Sequence, residues 1–285
     1  MRWMVVGAKG MLGTDLVTRL VAEGHDVMAV DRTEVDITNE ASVEHAIDKV
    51  DVVVNVAAFT AVDSAEENEA EAFLTNAVGP QHLARRCKKI GARLVHISTD
   101  YVFDGSNSSP YLESGAVNPA GAYGRTKAAG EWAVRAGTDD YIIVRTAWLY
   151  GAHGTCFPQT MAALSNKNST LSVVTDEVGQ PTWTADLADL ILRLVLAEVP
   201  SGTYHGTSSG RTNWHSFAQA IMTSLDKDPD IVKETTAAAF QRPAPRPSFS
   251  VLGHNHLVAV GVDPIGNWLE RWNEAAPAVL AEFKD

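Results

Sequence analysis

The stretch Trp3-Met4-Val5-Val6-Gly7-Ala8-Lys9-Gly10-Met11-Leu12-Gly13 decides how this chain folds. Four apolar residues make a short strand. A glycine-rich turn follows at once, and then Leu12, Leu16, Val17, Leu20 and Val21 recur at helical spacing. A glycine pattern placed between a strand and a helix reads as a phosphate cradle. Gly7 permits the tight turn, Gly10 lets backbone N–H groups approach a pyrophosphate, and Gly13 lets the helix pack close to the sheet. The pyrophosphate would sit at the positive end of the helix. A glycine turn without a ligand is the competing reading, and the following strands weigh against it.

The second strand, Val27-Met28-Ala29-Val30, runs into Asp31, which lies 18 residues beyond Gly13. An acid at about 20 residues is placed to bond an adenosine ribose hydroxyl. Arg32 follows, and its guanidinium suits a 2′-phosphate instead, so NADH and NADPH both stay open. Thr38 or Asn39 caps a helix through Val43, Ala46 and Ile47. Asp51 to Ala58 is a third strand, apolar almost throughout, as a parallel strand covered on both faces should be. Its small end residues, Ala57 and Ala58, leave room for a ligand. Ala65 to Val78 reads as a helix that Gly79-Pro80 breaks, before another carries Leu83, Ala84 and Cys87. Ala92 to Ile97 is the fourth strand. This β-α alternation predicts an α/β fold with a doubly wound parallel sheet, Rossmann-like. Gly10, Asp31, Ala58 and Thr99 would all lie at the C-terminal edge of that sheet.

Two further segments carry chemistry. The fourth strand delivers Ser98-Thr99-Asp100-Tyr101-Val102-Phe103-Asp104-Gly105, and Tyr123-Gly124-Arg125-Thr126-Lys127 opens a helix. Tyr123 and Lys127 are i and i+4 neighbours, so phenol and ammonium share a face. A nearby ammonium is expected to lower the phenol pKa and make Tyr123 a proton donor or acceptor near neutrality. Thr99 would add a hydrogen bond to the same substrate oxygen. The chemistry implied is hydride transfer to a carbonyl.

Composition excludes other classes. The 285 residues are 45% apolar with a formal net charge of −12, which leaves no basic excess for nucleic acid. No run approaches 18 continuous apolar residues, and the short run at Trp3 is no secretion signal, so no membrane span is expected. Cys87 and Cys156 match no metal spacing and suit a reducing cytoplasm.

These motifs together make the chain resemble an extended short-chain dehydrogenase/reductase, and more narrowly the dTDP-4-dehydrorhamnose reductase family. The matching residues are Gly7-x-x-Gly10-x-x-Gly13, Asn55 to Asp63, Ser98 to Gly105, Tyr123-Gly124-x-x-Lys127, Arg145 to Gly151, Gly179-Gln180-Pro181-Thr182 and Arg246-Pro247. The resemblance implies a dTDP-linked 4-keto-6-deoxyhexose substrate and a reduced nicotinamide cofactor. It implies that Tyr123 donates the proton, that Lys127 tunes it and holds the nicotinamide ribose, and that Thr99 adjusts its fit to the substrate. Gly10, Met11, Leu12, Asp31, Asp36, Ile37, Ala58, Phe59 and Thr60 would lie along the cofactor. Thr99, Asp100 and Trp148 would touch the sugar nucleotide. Another keto- or aldehydo-deoxysugar nucleotide is an alternative substrate. A binding role, as in the regulatory beta subunit of methionine adenosyltransferase, which is similar to this family, is a second alternative.

Residues 1–150 are expected to form the dinucleotide-binding core. Residues 151–285 are expected to form mainly a substrate-binding lobe, partly interleaved with the core. In that half Tyr141 to Arg145 is a strand and Phe157 to Leu164 a helix. Thr184 caps a helix through Val195, Thr203 to His205 is a short strand, and helices cover Trp214 to Leu225 and Asn267 to Phe283. Trp148 could equally be core packing. Arg246 is a candidate phosphate or sugar contact, or a surface arginine in a proline loop. His254-x-His256 reads as a surface pair rather than a metal site. Some family members bind Mg²⁺ through carboxylates where two subunits meet. Asp15 and Asp186 fall near the matching places but are shorter than the glutamates expected, so no metal site is assigned, and the chain is expected to be a monomer or homodimer.

Overall fold

In the computed structural model, which describes residues 1–283, the alternation read from the sequence is an alternation of parallel strands and helices. The last two residues of the expected lobe lie outside the described residues. Strands β1 (Arg2–Val6), β2 (Asp26–Val30), β3 (Val52–Asn55), β4 (Arg93–Thr99), β5 (Tyr141–Thr146) and β6 (Gly202–His205) form one sheet in the order β6-β5-β4-β3-β1-β2. All five pairings are parallel. The order reverses between β1 and β3, and a ligand crevice opens at such a switch point.

Because side chains alternate across a strand, the apolar runs feed two cores. Val5, Val54, Val95 and Val144 pack under helices α1 (Met11–Ala22) and α8 (Thr184–Leu196). Met4, Val53, Leu94 and Ile143 pack on the opposite face, under α2 (Glu40–Ala46), α5 (Gly79–Ile90) and α6 (Ala122–Gly137). Asn39 is the cap of α2, accepting from the Ala41 and Ser42 N–H groups. A third core belongs to the second half. Phe217 on α9 (Trp214–Ser224) meets Tyr150, Phe157 on α7 (Phe157–Ser165), and Trp268 and Trp272 on α10 (Trp268–Val279).

Four sequence expectations are corrected here. The helix expected over Ala65–Val78 is three pieces: α3 (Val62–Glu67), α4 (Glu69–Phe73) and a π-helical turn over Leu74–Val78 that runs directly into α5. Gly79-Pro80 breaks nothing, because Pro80 falls in the first turn of α5, where a missing N–H costs little. The third strand stops at Asn55 instead of Ala58, where the Ala57 N–H turns back to the Val6 carbonyl. Thr184 does not cap α8 but is its first residue, and its hydroxyl donates to Asp15 and to the Tyr150 carbonyl.

Candidate active site

The glycine turn has the geometry its residues predict. Gly7 has a φ of 86°, and a Cβ there would lie 2.8 Å from the Ala57 nitrogen. A Cβ on Gly13 would lie 2.3 Å from the Gly7 carbonyl oxygen, so α1 reaches the turn only because that position is bare. The first turn of α1, Met11-Leu12-Gly13-Thr14, carries no charge to oppose an anion at its positive end. Asp31, half-buried, accepts from the Lys9 N–H at 3.2 Å and the Arg32 N–H at 2.7 Å, which ties the acid to the glycine loop. The Asp36 carboxyl is held below its ordinary range by the Thr38 hydroxyl and N–H.

A cleft of about 770 Å³ opens along this edge. It is lined by Gly7, Gly10, Met11, Leu12, Gly13, Asp31, Arg32, Asp36, Ile37, Ala58, Phe59 and Thr60, together with Thr99, Asp100, Tyr123, Lys127 and Trp148. The π-helical turn serves this cleft. It turns Asn76 inward, where its side chain accepts from the Phe59 N–H at 2.8 Å and donates to the Phe59 carbonyl at 3.1 Å. Its amide also reaches the Thr126 hydroxyl at 3.1 Å, linking the Phe59 loop to α6. Inserted turns of this kind recur at functional sites.

Electrostatics around Tyr123 differ from the expectation. Its phenol pKa is raised, first by burial and then by the neighbouring Asp100 carboxylate, with the Thr99 hydroxyl opposing. Lys127 does not lower it, because the buried ammonium is turned to the Ile97 carbonyl at 2.6 Å. Burial pulls the Lys127 pKa down to about 8, and Glu131 opposes that shift. A protonated phenol is the form a proton donor needs. Thr99 is less free than expected: its hydroxyl donates to Asp100 Oδ1 at 2.9 Å and accepts from the Tyr101 N–H at 3.2 Å. Burial raises Asp100 to about 6, which the Thr99 and Ser250 hydroxyls partly offset.

A second cavity of about 370 Å³ adjoins the cleft and shares Tyr101 and Trp148 with it. Arg246 lines this cavity rather than the main cleft, with Nη2 on Asp63 at 2.7 Å and Nη1 on the Ala244 carbonyl at 3.0 Å. Arg242 pairs with Glu177 at 3.0 Å on the same wall. Trp148 is not simple core packing. Its φ of 48° is rare for a bulky residue, and its ring stacks on Trp214 with centroids 3.6 Å apart and planes 10° from parallel. Gly179 makes room for it, since a Cβ there would lie 2.5 Å from the indole. Trp214, Glu177 and Arg242 were absent from the sequence-derived site. A tryptophan opening a helix was the available signal, and nothing in sequence spacing tied it to Trp148.

The remaining candidates resolve as structural contacts. His254 and His256 are half-buried, not surface residues. His254 Nε2 meets the Thr207 hydroxyl at 2.9 Å, and His256 Nδ1 meets the Thr203 carbonyl at 2.8 Å. Asp186 is held by Arg271 through two contacts of 2.8 and 2.7 Å. Among the described residues no three His, Cys, Asp or Glu side chains gather as a metal site, and no helix is long and apolar enough to cross a membrane.

A six-stranded parallel sheet with a glycine loop at its switch point, and a Tyr/Lys pair across the crevice, define an extended short-chain dehydrogenase/reductase. Comparison with known proteins narrows this. The profile described as the RmlD substrate binding domain matches residues 1–284, and the chain belongs to that family. It is 45% identical over 98% of its length to a dTDP-4-dehydrorhamnose reductase of Streptomyces griseus, covering 94% of that protein. It is 44% identical over 99% of its length to a probable dTDP-4,6-dihydroxy-2-methyloxan-3-one 4-ketoreductase of Streptomyces antibioticus, covering 96% of it. The crystal structure of a dTDP-4-dehydrorhamnose reductase from Bacillus anthracis in complex with NADP superposes with a TM-score of 0.93 at 35% identity, covering 96% of this chain and 98% of that one.

Proposed function

We propose that this chain reduces the 4-keto group of a dTDP-linked 4-keto-6-deoxyhexose, giving dTDP-L-rhamnose or a close analogue. The observation that carries this reading is that Tyr123, Thr99 and Lys127 line the same cleft as the Gly7–Gly13 loop and Asp31. The residues fit a dinucleotide: the bare positions at Gly7 and Gly13 make the cradle, α1 opens uncharged, and Asp31 or Arg32 meets the adenosine ribose or its phosphate. When bound, NADPH or NADH supplies the hydride. Tyr123, kept protonated by burial, gives its proton to the developing alkoxide, and Lys127 holds the nicotinamide ribose. Thr99 and Asp100 orient the sugar, Trp148 covers it, and Arg246 meets the diphosphate. The protein works as a monomer or homodimer in the cytoplasm, where free thiols such as Cys87 and Cys156 persist.

The relative from Streptomyces antibioticus favours a second reading, a ketoreductase acting on another deoxysugar nucleotide. Both readings are tested by purified protein, NADPH or NADH and a panel of dTDP-4-keto sugars, following the absorbance of the reduced cofactor. Oxidation with dTDP-4-dehydrorhamnose first in kcat/KM is expected. Preference for another sugar selects the second reading, and normal cofactor binding with no turnover of any sugar overturns both.

A further inference from the structure

Beneath the cleft lies a carboxylate to which neither the motifs nor the reaction assigns a task. Glu131 is fully buried on α6, one turn after Lys127. Four donors converge on it. Arg145 Nε and Nη2 reach its two oxygens at 2.7 and 2.8 Å, Ser98 Oγ donates at 2.7 Å, and Arg135 Nη2 donates at 3.0 Å. Ser98 and Arg145 are paired neighbours on β4 and β5. One residue beyond Ser98 is Thr99, and three beyond Arg145 is Trp148. The same helix also grips β4 through Lys127 Nζ on the Ile97 carbonyl. A buried ion pair adds little net stability over apolar packing of the same volume, but it fixes geometry when its hydrogen bonds are complete.

We propose that Glu131 is the positioning residue of this site. Its carboxylate locks the helix bearing Tyr123 and Lys127 to the two strands bearing Thr99 and Trp148, and it supplies the negative charge that keeps Lys127 an ammonium. The titratable and charged groups around Lys127 are Tyr123 and Glu131 on its own helix, His96 on β4, Asp100 just past β4, and Arg145 on β5 with Arg135 behind Glu131. Burial and the nearby cations hold His96 well below its usual range, so it is neutral. Asp100 faces Tyr123 rather than the ammonium, which leaves Glu131 as the anion acting on Lys127.

The inference rests on the reductase reading, so its test has one readout that needs no turnover. NADPH affinity and kcat are each measured against pH for wild type, Glu131→Gln and Glu131→Asp, with circular dichroism to check folding. Wild-type affinity should weaken above about pH 8, as Lys127 loses its proton. In Glu131→Gln this limb should move down by about one pH unit, with kcat lowered ten- to about a hundredfold. Glu131→Asp keeps the charge but shortens the reach, so its limb should stay in place while kcat falls. A folded Glu131→Gln whose limb does not move overturns the proposal. Should Glu131→Gln not fold, Glu131→Asp decides: lowered kcat with an unmoved limb supports the proposal, and wild-type kcat overturns it. If wild type binds NADPH but reduces no sugar, the reductase reading fails while the binding profiles still judge Glu131.

Discussion

On one wall of the cleft, Gly7, Asp31, Ala58 and Thr99 stand at or just past the ends of β1, β2, β3 and β4, where a hydrogen-bonded register sets their spacing. The second wall, which belongs to the adjoining cavity and shares Trp148 with the cleft, is made of side chains from scattered places. Trp148 follows β5, Glu177 sits in a loop, Trp214 opens α9, and Arg242 and Arg246 lie in the proline loop. The first wall is backbone geometry held by a ladder; the second is held by one indole stack and two ion pairs. On the proposed function the ladder-held wall takes the cofactor, and changing a few side chains of the second wall would change the sugar.

That contrast predicts that substitutions on the two walls fail differently. The largest effect is expected at Tyr123: Tyr123→Phe should lower kcat by about a thousandfold, with NADPH binding and thermal unfolding unchanged. Near-wild-type turnover would remove Tyr123 as proton donor. Next comes the seam. Asp100 is nearly fully buried, and its carboxyl is raised to about 6 from an ordinary value of about 4. The folded state therefore holds the proton more tightly than the unfolded chain. Stability falls as pH rises from about 4 to 6, and the full cost is present above that window. Asp100→Asn should then stabilise the protein by on the order of 2 kcal/mol at pH 8 and hardly at all at pH 4, while slowing turnover. Equal melting shifts at both pH values would mean that burial does not raise the Asp100 pKa in the folded state. The smallest effect belongs to the second wall. Trp214→Ala removes an indole stack worth about 1 kcal/mol and should raise KM for the sugar nucleotide five- to about tenfold with KM for NADPH unchanged. If both KM values rise together, the two walls are one mechanical unit and the contrast fails.

Some features were legible because they are local. The order strand, Gly7 turn, helix follows from periodicity and from glycine's freedom at positive φ. Asn39 as a cap and the apolar strands likewise depend on near neighbours. Other features were hidden because competing local rules lost to tertiary contacts. Proline rules predicted a break at Gly79-Pro80, but a π-helical turn lets the chain stay helical and aims Asn76 at Phe59. Spacing brought Tyr123 and Lys127 to one face, yet it could not show that the Lys127 ammonium donates to the Ile97 carbonyl.

By itself the sequence determined the sheet, the glycine turn and the placing of Tyr123 and Lys127 on one helix face, because period-2 and period-3.6 patterns and i,i+4 spacing act within one or two elements. Only the tertiary structure decided the protonation of Tyr123, Asp100 and Lys127, the stacking of Trp148 on Trp214, and the convergence of Ser98, Arg135 and Arg145 on Glu131. The physical reason is that a pKa and a stacking partner depend on what surrounds a group in space, and those surroundings come from residues tens of positions away along the chain.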